Sequence, residues 1–236
     1  MIRLRRRDFT LGLASLALAR PSFAAGAIKP DAASALLVVD VQNCFLPGGS
    51  LAVTGADKII PVINRIAKGF ENVLVTQDWH TPHHISFASS HPGHKPFETM
   101  KLPYGQQILW PDHCVQGTES AQLSKDLRLP TAELVVRKGY HNNVDSYSAF
   151  LEADRKTHTG LAGYLQERHI TTLFMAGIAT DFCVAWSAID ARHDGFAVFV
   201  VEDACRGIDT HGSLAKAWKD MTAAGVKRIQ SADLAV

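Results

Sequence analysis

The chain has 236 residues, a length suited to one α/β domain, and its 47% hydrophobic and 20% charged residues argue against disorder. The formal net charge of +1 is unevenly placed: Arg3, Arg5, Arg6, Arg7 and Arg20 against Asp8 give the first 24 residues a balance of +4 and leave about −3 on the rest. A mildly acidic body offers no electrostatic footing for nucleic acid or an anionic membrane surface.

Residues 1–25 read as an export signal. A basic stretch from Arg3 to Arg7 precedes a short apolar run, Leu11 to Ala19, and then Ser22-Phe23-Ala24-Ala25, a small-x-small cleavage site. The run is shorter than the roughly 20 apolar residues that span a bilayer, so no stable membrane anchor is expected. Arg6-Arg7-Asp8-Phe9-Thr10-Leu11 resembles a twin-arginine signal, whose route carries folded proteins. An ordinary secretory signal is the alternative. The expected location is the periplasm.

Beyond a small, polar linker at 26–34, Ala35 to Val41 is a β-branched apolar run that contains Asp40 near its end. Such a run fits a strand buried on both faces of a parallel sheet. Similar runs lie at Asn72–Thr76, Glu133–Val136, Thr172–Ala176 and Ala197–Val201, with a weaker one near Arg228-Ile229. Between them, Asp57–Lys68, Leu161–Arg168, Thr180–His193 and Ser213–Ala224 carry helical patterns. Alternating strands and helices predict a single-domain, three-layer α/β/α fold on a mostly parallel sheet of about six strands. The stretch from Asp78 to about Pro130 breaks the rhythm. It is rich in His, Pro and Gly and holds no clear strand, and a connection of that length is usually functional.

In open α/β sheets the ligand crevice lies beyond the carboxyl ends of the strands. Asp40, Asp78 with His80, Lys138 and the segment Gly177–Cys183 all fall at such ends. Cys183 sits at a strand-to-helix junction, where Thr180 or Asp181 can cap the helix and free N–H groups favour a thiolate. A buried structural cysteine is the competing reading. Asp40 and Lys138 form either a structural ion pair or a base with its counter-charge. Asp78, His80 and His113 can hold a Zn, Fe or Mn ion with open positions; the alternative is a solvated, His-rich loop. Cys44, Cys114 and Cys205 leave a disulfide open, with no distances to choose a pairing.

Eight collinear stretches carry a family resemblance. They are Val38–Phe45, Pro47–Val53, Thr76–His80, His84–Ala88, Leu109–Val115, Lys138-Gly139, Asp145–Phe150 and Gly177–Val184. On these the chain resembles the nicotinamidase/pyrazinamidase group of the isochorismatase-like cysteine hydrolases, as one domain over 34–234. The resemblance implies a triad of Asp40, Lys138 and Cys183, with one divalent metal on Asp78, His80 and His113. It implies a ring-binding wall of Phe45 and Trp110 completed by Leu51 and Tyr147. It further implies a cis Ile178–Ala179 peptide that turns the Ala179 N–H toward the oxyanion beside that of Cys183. His84 is a candidate additional ligand, with support of the ligands as its other role. The implied substrate is a small aromatic carboxamide, nicotinamide or pyrazinamide, cleaved through a Cys thioester and used for salvage outside the cytoplasm. Cys44 departs from the family, which usually has Asp there, and places an extra thiol near the site.

Relatives acting on N-carbamoylsarcosine or a ureidoacrylate share Asp, Lys and Cys but lack the Asp-Trp-His and Trp-Pro-x-His elements. Isochorismatase itself needs no thiol. An exported binding protein without turnover would need no nucleophile. Self-association of the chain is left open.

Overall fold

The computed structural model describes residues 27–236; the segment read from sequence as an export signal, 1–25, lies outside them. Strand β1 (Ser34–Val39) is buried along its whole length, as its unbroken apolar sequence requires. It is flanked by β2 (Asn72–Asp78) on one side and β6 (Thr172–Ile178) on the other. Outward from these lie β5 (Ala132–Lys138), then β7 (Ala197–Arg206) and β8 (Lys227–Ile229). The six strands run parallel in the order β5-β2-β1-β6-β7-β8, flanked by helices as expected. Strand β5 alternates between exposed and covered residues because it closes one edge of the sheet. This alternation turns Arg137 outward over the Trp79 ring and Lys138 inward.

The helical stretches form with local differences. The predicted helix at Asp57–Lys68 is split into a 3-10 turn at Ala56–Ile59, helix α1 (Ile60–Ile66) and a second 3-10 turn at Ala67–Gly69. Pro61 stands in the first turn of α1, where its missing N–H costs nothing, and Ile60, Ile63 and Ile66 face the core. Helices α2 (Leu161–Glu167) and α4 (Ser213–Ala223) match their patterns closely. The stretch Thr180–His193 begins as a π-helical turn at Thr180–Val184 and becomes α3 (Ala185–His193).

Two strand features were not legible. The long connection after β2 contains a hairpin of β3 (Thr99–Leu102) and β4 (Gly105–Ile108), whose mixed polar and apolar residues make no apolar run. Strand β7 extends through Glu202–Arg206, beyond the apolar Ala197–Val201; an irregularity opposite Met175 and Gly177 lets the pairing resume at Cys205 and Arg206. Among the described residues no helix is long and apolar enough to cross a membrane.

Candidate active site

The chain leaves β1, builds outward through β2 and β5, and returns to the other side of β1 as β6. The order in which strands are added therefore reverses between the parallel neighbours β1 and β6, and the crevice opens beyond their carboxyl ends. Asp40 follows β1 and Cys183 follows β6.

Asp40 is fully buried, with a left-handed backbone at φ +48°. Its amide donates to Thr76 Oγ1 at 3.1 Å, and its Oδ1 accepts from the same hydroxyl at 2.6 Å. The Oδ2 atom sits 2.9 Å from Lys138 Nζ, off the hydrogen-bonding axis, and has no donor aligned on it. The Lys138 ammonium also donates to Asp78 Oδ1 and to the Ser146 carbonyl at 3.1 Å, and it lies 3.3 Å from Cys183 Sγ. Oxygens of Asp40 and Asp78 and the Cys183 sulfur all lie within 4.8 Å of one another. One ammonium thus faces two carboxylates and a thiol, all buried.

The charge states follow from that crowding. Burial raises the Asp40 carboxyl above the usual range, although Lys138 opposes the rise. Burial is also the largest single influence against the charges of Asp78 and Lys138, but the opposite charges and hydrogen bonds around each together outweigh it: Lys138, His80 and His113 for Asp78, and Asp40, Asp78 and Cys183 for Lys138. Asp78 is held well below the usual carboxylate range, and Lys138 well above the usual ammonium range. The Cys183 thiol is pushed well up by burial and by both carboxylates, against the pull of Lys138. A resting thiolate, as the helix position suggested, is therefore not favoured, and a base has to remove the proton. Nor do Thr180 and Asp181 cap the helix. The Asp181 carboxylate instead accepts from the Ile208 and Asp209 amides and from Ser213 Oγ, fastening that segment against the crevice.

Asp78 Oδ2 lies 3.7 Å from His80 Nε2 and 3.8 Å from His113 Nε2. The opposite nitrogen of each ring is committed: His80 Nδ1 donates to the Gly139 carbonyl and His113 Nδ1 to the Pro111 carbonyl, both at 2.9 Å. Carbonyls only accept, so both Nδ1 atoms carry protons and both Nε2 atoms face the Asp78 carboxylate. Tetrahedral ligands at about 2.1 Å from an ion stand about 3.4 Å apart, so the triplet fits a divalent cation after a small contraction. The local charge agrees, because Asp40 and Asp78 together exceed Lys138 by one negative charge. Burial lowers the basicity of His80, Asp78 and Asp145 together raise it more, and a cation would replace the proton this favours. Gln42 fixes the Asp78 backbone from both sides, accepting from its amide and donating to its carbonyl, each at 2.8 Å.

His84 has both nitrogens engaged. Its Nε2 donates to the His141 and Val144 carbonyls, and its Nδ1 meets Ser86 Oγ at 2.8 Å. Burial and the neighbouring His80 lower it to about 4, so it is a neutral ring packed against His80, 4.4 Å between centroids.

Phe45, Leu51, Trp110 and Tyr147 line one pocket together with Ala179, Cys183, Asp78, His80 and His113. The Ile178–Ala179 peptide is cis. Trp110 Nε1 donates to Tyr147 Oη at 2.9 Å, and Gln107 Nε2, from β4, reaches the same oxygen at 2.9 Å and Asp145 Oδ2 at 2.8 Å. Sequence reasoning missed Phe182, Ile208 and Asp145 in the wall. Phe182, edge-on to Trp110, directly precedes Cys183, and Asp145 opens a matched stretch; only Ile208 had no signal at all. A disulfide joins Cys44 to Cys114, leaving Cys183 and Cys205 free.

The isochorismatase domain model matches residues 34–233. A nicotinamidase of Acinetobacter baylyi is 61% identical over 202 residues, covering 86% of this chain and 94% of its own. A solved nicotinamidase/pyrazinamidase of Acinetobacter baumanii superposes with a TM-score of 0.86 at 61% identity, over 87% of this chain and 99% of its own. The pyrazinamidase of Pyrococcus horikoshii in complex with zinc is 32% identical, with a TM-score of 0.69 over 84% and 98% of the two chains. With this sheet order, this crevice and these relatives, the chain belongs to the isochorismatase family.

Proposed function

We propose that the protein is a nicotinamidase that hydrolyses nicotinamide to nicotinate and ammonia, and pyrazinamide to pyrazinoate. The observation that carries this reading is the single Lys138 ammonium in contact with Asp40, Asp78 and Cys183. It joins the base to the nucleophile and to a metal-binding triplet; Cys183 and the triplet line one aromatic-walled pocket, while Asp40 and Lys138 are buried outside its lining. Nicotinamidases 61% and 42% identical to the chain support the substrate class.

In the proposed reaction Asp40 takes the thiol proton through its undonated Oδ2, as its raised proton affinity favours. The Cys183 sulfur attacks the carboxamide carbon, and Lys138 stabilises the negative charge that the proton transfer moves from Asp40 to sulfur until the bond forms. The N–H groups of Ala179 and Cys183 receive the oxyanion. Asp40 returns its proton to the departing nitrogen as the C–N bond breaks, releasing ammonia and leaving a thioester. Water, deprotonated by Asp40, then attacks the thioester, and the acid leaves as the thiol is reprotonated. Phe45 and Trp110 flank the ring, with Leu51 and Tyr147 closing the wall. Asp78, His80 and His113 would hold a zinc, iron or manganese ion, which supplies a Lewis acid for the ring nitrogen and for water.

We also place the mature enzyme in the periplasm. The basic and apolar segment at 1–25 supports export, and a buried disulfide suits an oxidising compartment. Cell fractionation tests the location. The activity is tested by ammonia release from nicotinamide, pyrazinamide and N-carbamoylsarcosine, with metal content measured on the same sample. No release from either aromatic amide by metal-loaded protein would overturn the reading.

A further inference from the structure

The segment that carries His113 has little regular structure of its own. It is held by a backbone bridge between His80 and Val115 and by the Nδ1 bond of His113 to its own Pro111 carbonyl. Its next residue, Cys114, is fully buried with a left-handed backbone at φ +46°. The sulfur of Cys114 is joined to that of Cys44, 70 residues earlier, in the turn that follows β1. Cys44 is buried as completely, and Phe45 beside it places its ring 5.6 Å from that of His113. A covalent bond therefore connects the two sides of the pocket immediately next to an aromatic wall residue and a metal-ligating histidine.

We propose that the Cys44–Cys114 disulfide is a positioning clamp for His113, so that the oxidised chain retains its cation and the dithiol chain loses it. The proposal rests on the reading of Asp78, His80 and His113 as metal ligands. In forming the clamp, the Cys44 and Cys114 thiols give up two protons and two electrons to an external disulfide oxidant, whose own S–S bond becomes two thiols. Cys183 takes no part. The pairing also removes both spare thiols on this side of the pocket from exchange with the nucleophile, which has to stay reduced where the oxidant is present. Neither cysteine touches the reacting atoms, so the effect falls on the ligand loop.

The test uses purified mature protein. Thiol titration of the denatured native chain is expected to find two free thiols, and four after reduction. Zinc-loaded protein is then challenged with a chelator and zinc release is followed with a chromogenic dye. Cys44→Ser, Cys114→Ser and the phosphine-reduced wild type should each release zinc about tenfold faster than the oxidised wild type, the scale typical of groups that support metal ligands. Ile63→Val, a core variant in α1 that does not line the pocket, reports mere loss of stability and should leave the release rate unchanged. The reduced wild type covers the case in which a serine variant does not fold. Four free thiols in the native chain, or equal release rates in oxidised and reduced protein, would overturn the clamp. A wild type that takes up no divalent cation overturns the metal reading and the clamp together, and shows itself before any variant is made.

Discussion

The Gly139 carbonyl accepts a hydrogen bond from His80 Nδ1 at 2.9 Å, and a side chain on Gly139 would run into that same ring. Gly139 has φ +68°, and a Cβ placed there would lie 2.5 Å from the imidazole carbon between the two nitrogens. Strand β5 thus delivers Lys138 and, one residue later, a bare backbone on which His80 is seated.

Gly139→Ala is expected to displace His80 and so to weaken metal retention by about 10- to 100-fold, the range for lost support of a ligand. The left-handed backbone adds a stability loss of about 1 kcal/mol. Metal content after dialysis against a chelator, with a thermal melt on the same sample, checks both. Unchanged metal content would show that His80 does not depend on this seat.

Cys183→Ala should lower ammonia release by at least about 10³-fold, since neither Asp40 nor Lys138 can replace the sulfur. Metal content should stay at the wild-type level, because the thiol is separate from the ligand triplet. Stability should change by no more than about 1 kcal/mol, the thiol being small and only partly satisfied by Lys138. Mass spectrometry of quenched turnover should find a nicotinoyl adduct on the wild type and none on the variant.

Lys138→Met removes the ammonium and leaves Asp40 and Asp78 buried without it. Breaking a buried pair in this way costs about 3–5 kcal/mol near neutral pH. The sign with pH follows from burial. Asp40 is raised even beside Lys138, and without it the folded carboxyls hold protons more tightly than the unfolded ones. The folded variant therefore binds more protons, so its deficit is smallest below the unfolded carboxylate value and grows as pH rises through the raised folded values. Urea unfolding of wild type and variant at several pH values measures the difference, which should narrow toward acid. A constant difference would mean that the carboxylates are not the cause.

The sheet and the strand-end residues were legible because both rest on local chemistry. Buried parallel strands need unbroken apolar runs, and β1 and β6 have them. An acid, an ammonium or a thiol at the end of such a run stands out against it, as Asp40, Lys138 and Cys183 do. The β3–β4 hairpin was invisible because each strand is only four residues long, too short for the alternation of Thr99-Met100-Lys101-Leu102 to stand out, and β4 is mostly polar. The partner of Cys44 was equally hidden, since 70 intervening residues say nothing of distance. The role of Asp181 was misjudged for a related reason. Its local position suits a cap, but the amides of Ile208 and Asp209 compete for the carboxylate and win it through the tertiary fold.

Tyr147 shows the same dependence on distant partners, and it separates binding from chemistry. Its hydroxyl receives Trp110 Nε1–H and approaches the Gln107 amide, so one oxygen aligns the indole and the β4 strand behind it. Tyr147→Phe keeps the ring in the wall but removes that acceptor. The buried indole N–H is then without its partner, at a cost of about 1–3 kcal/mol that the wall can relieve only by shifting Trp110. On the proposed role of Trp110, holding the ring in the ground state and the transition state alike, KM for nicotinamide should rise by about 3- to 10-fold while kcat changes by less than about 2-fold. Steady-state kinetics at saturating metal reads the two constants separately. A fall in kcat with KM unchanged would instead place the hydroxyl in the transition state, in contact with the reacting carboxamide rather than behind the wall.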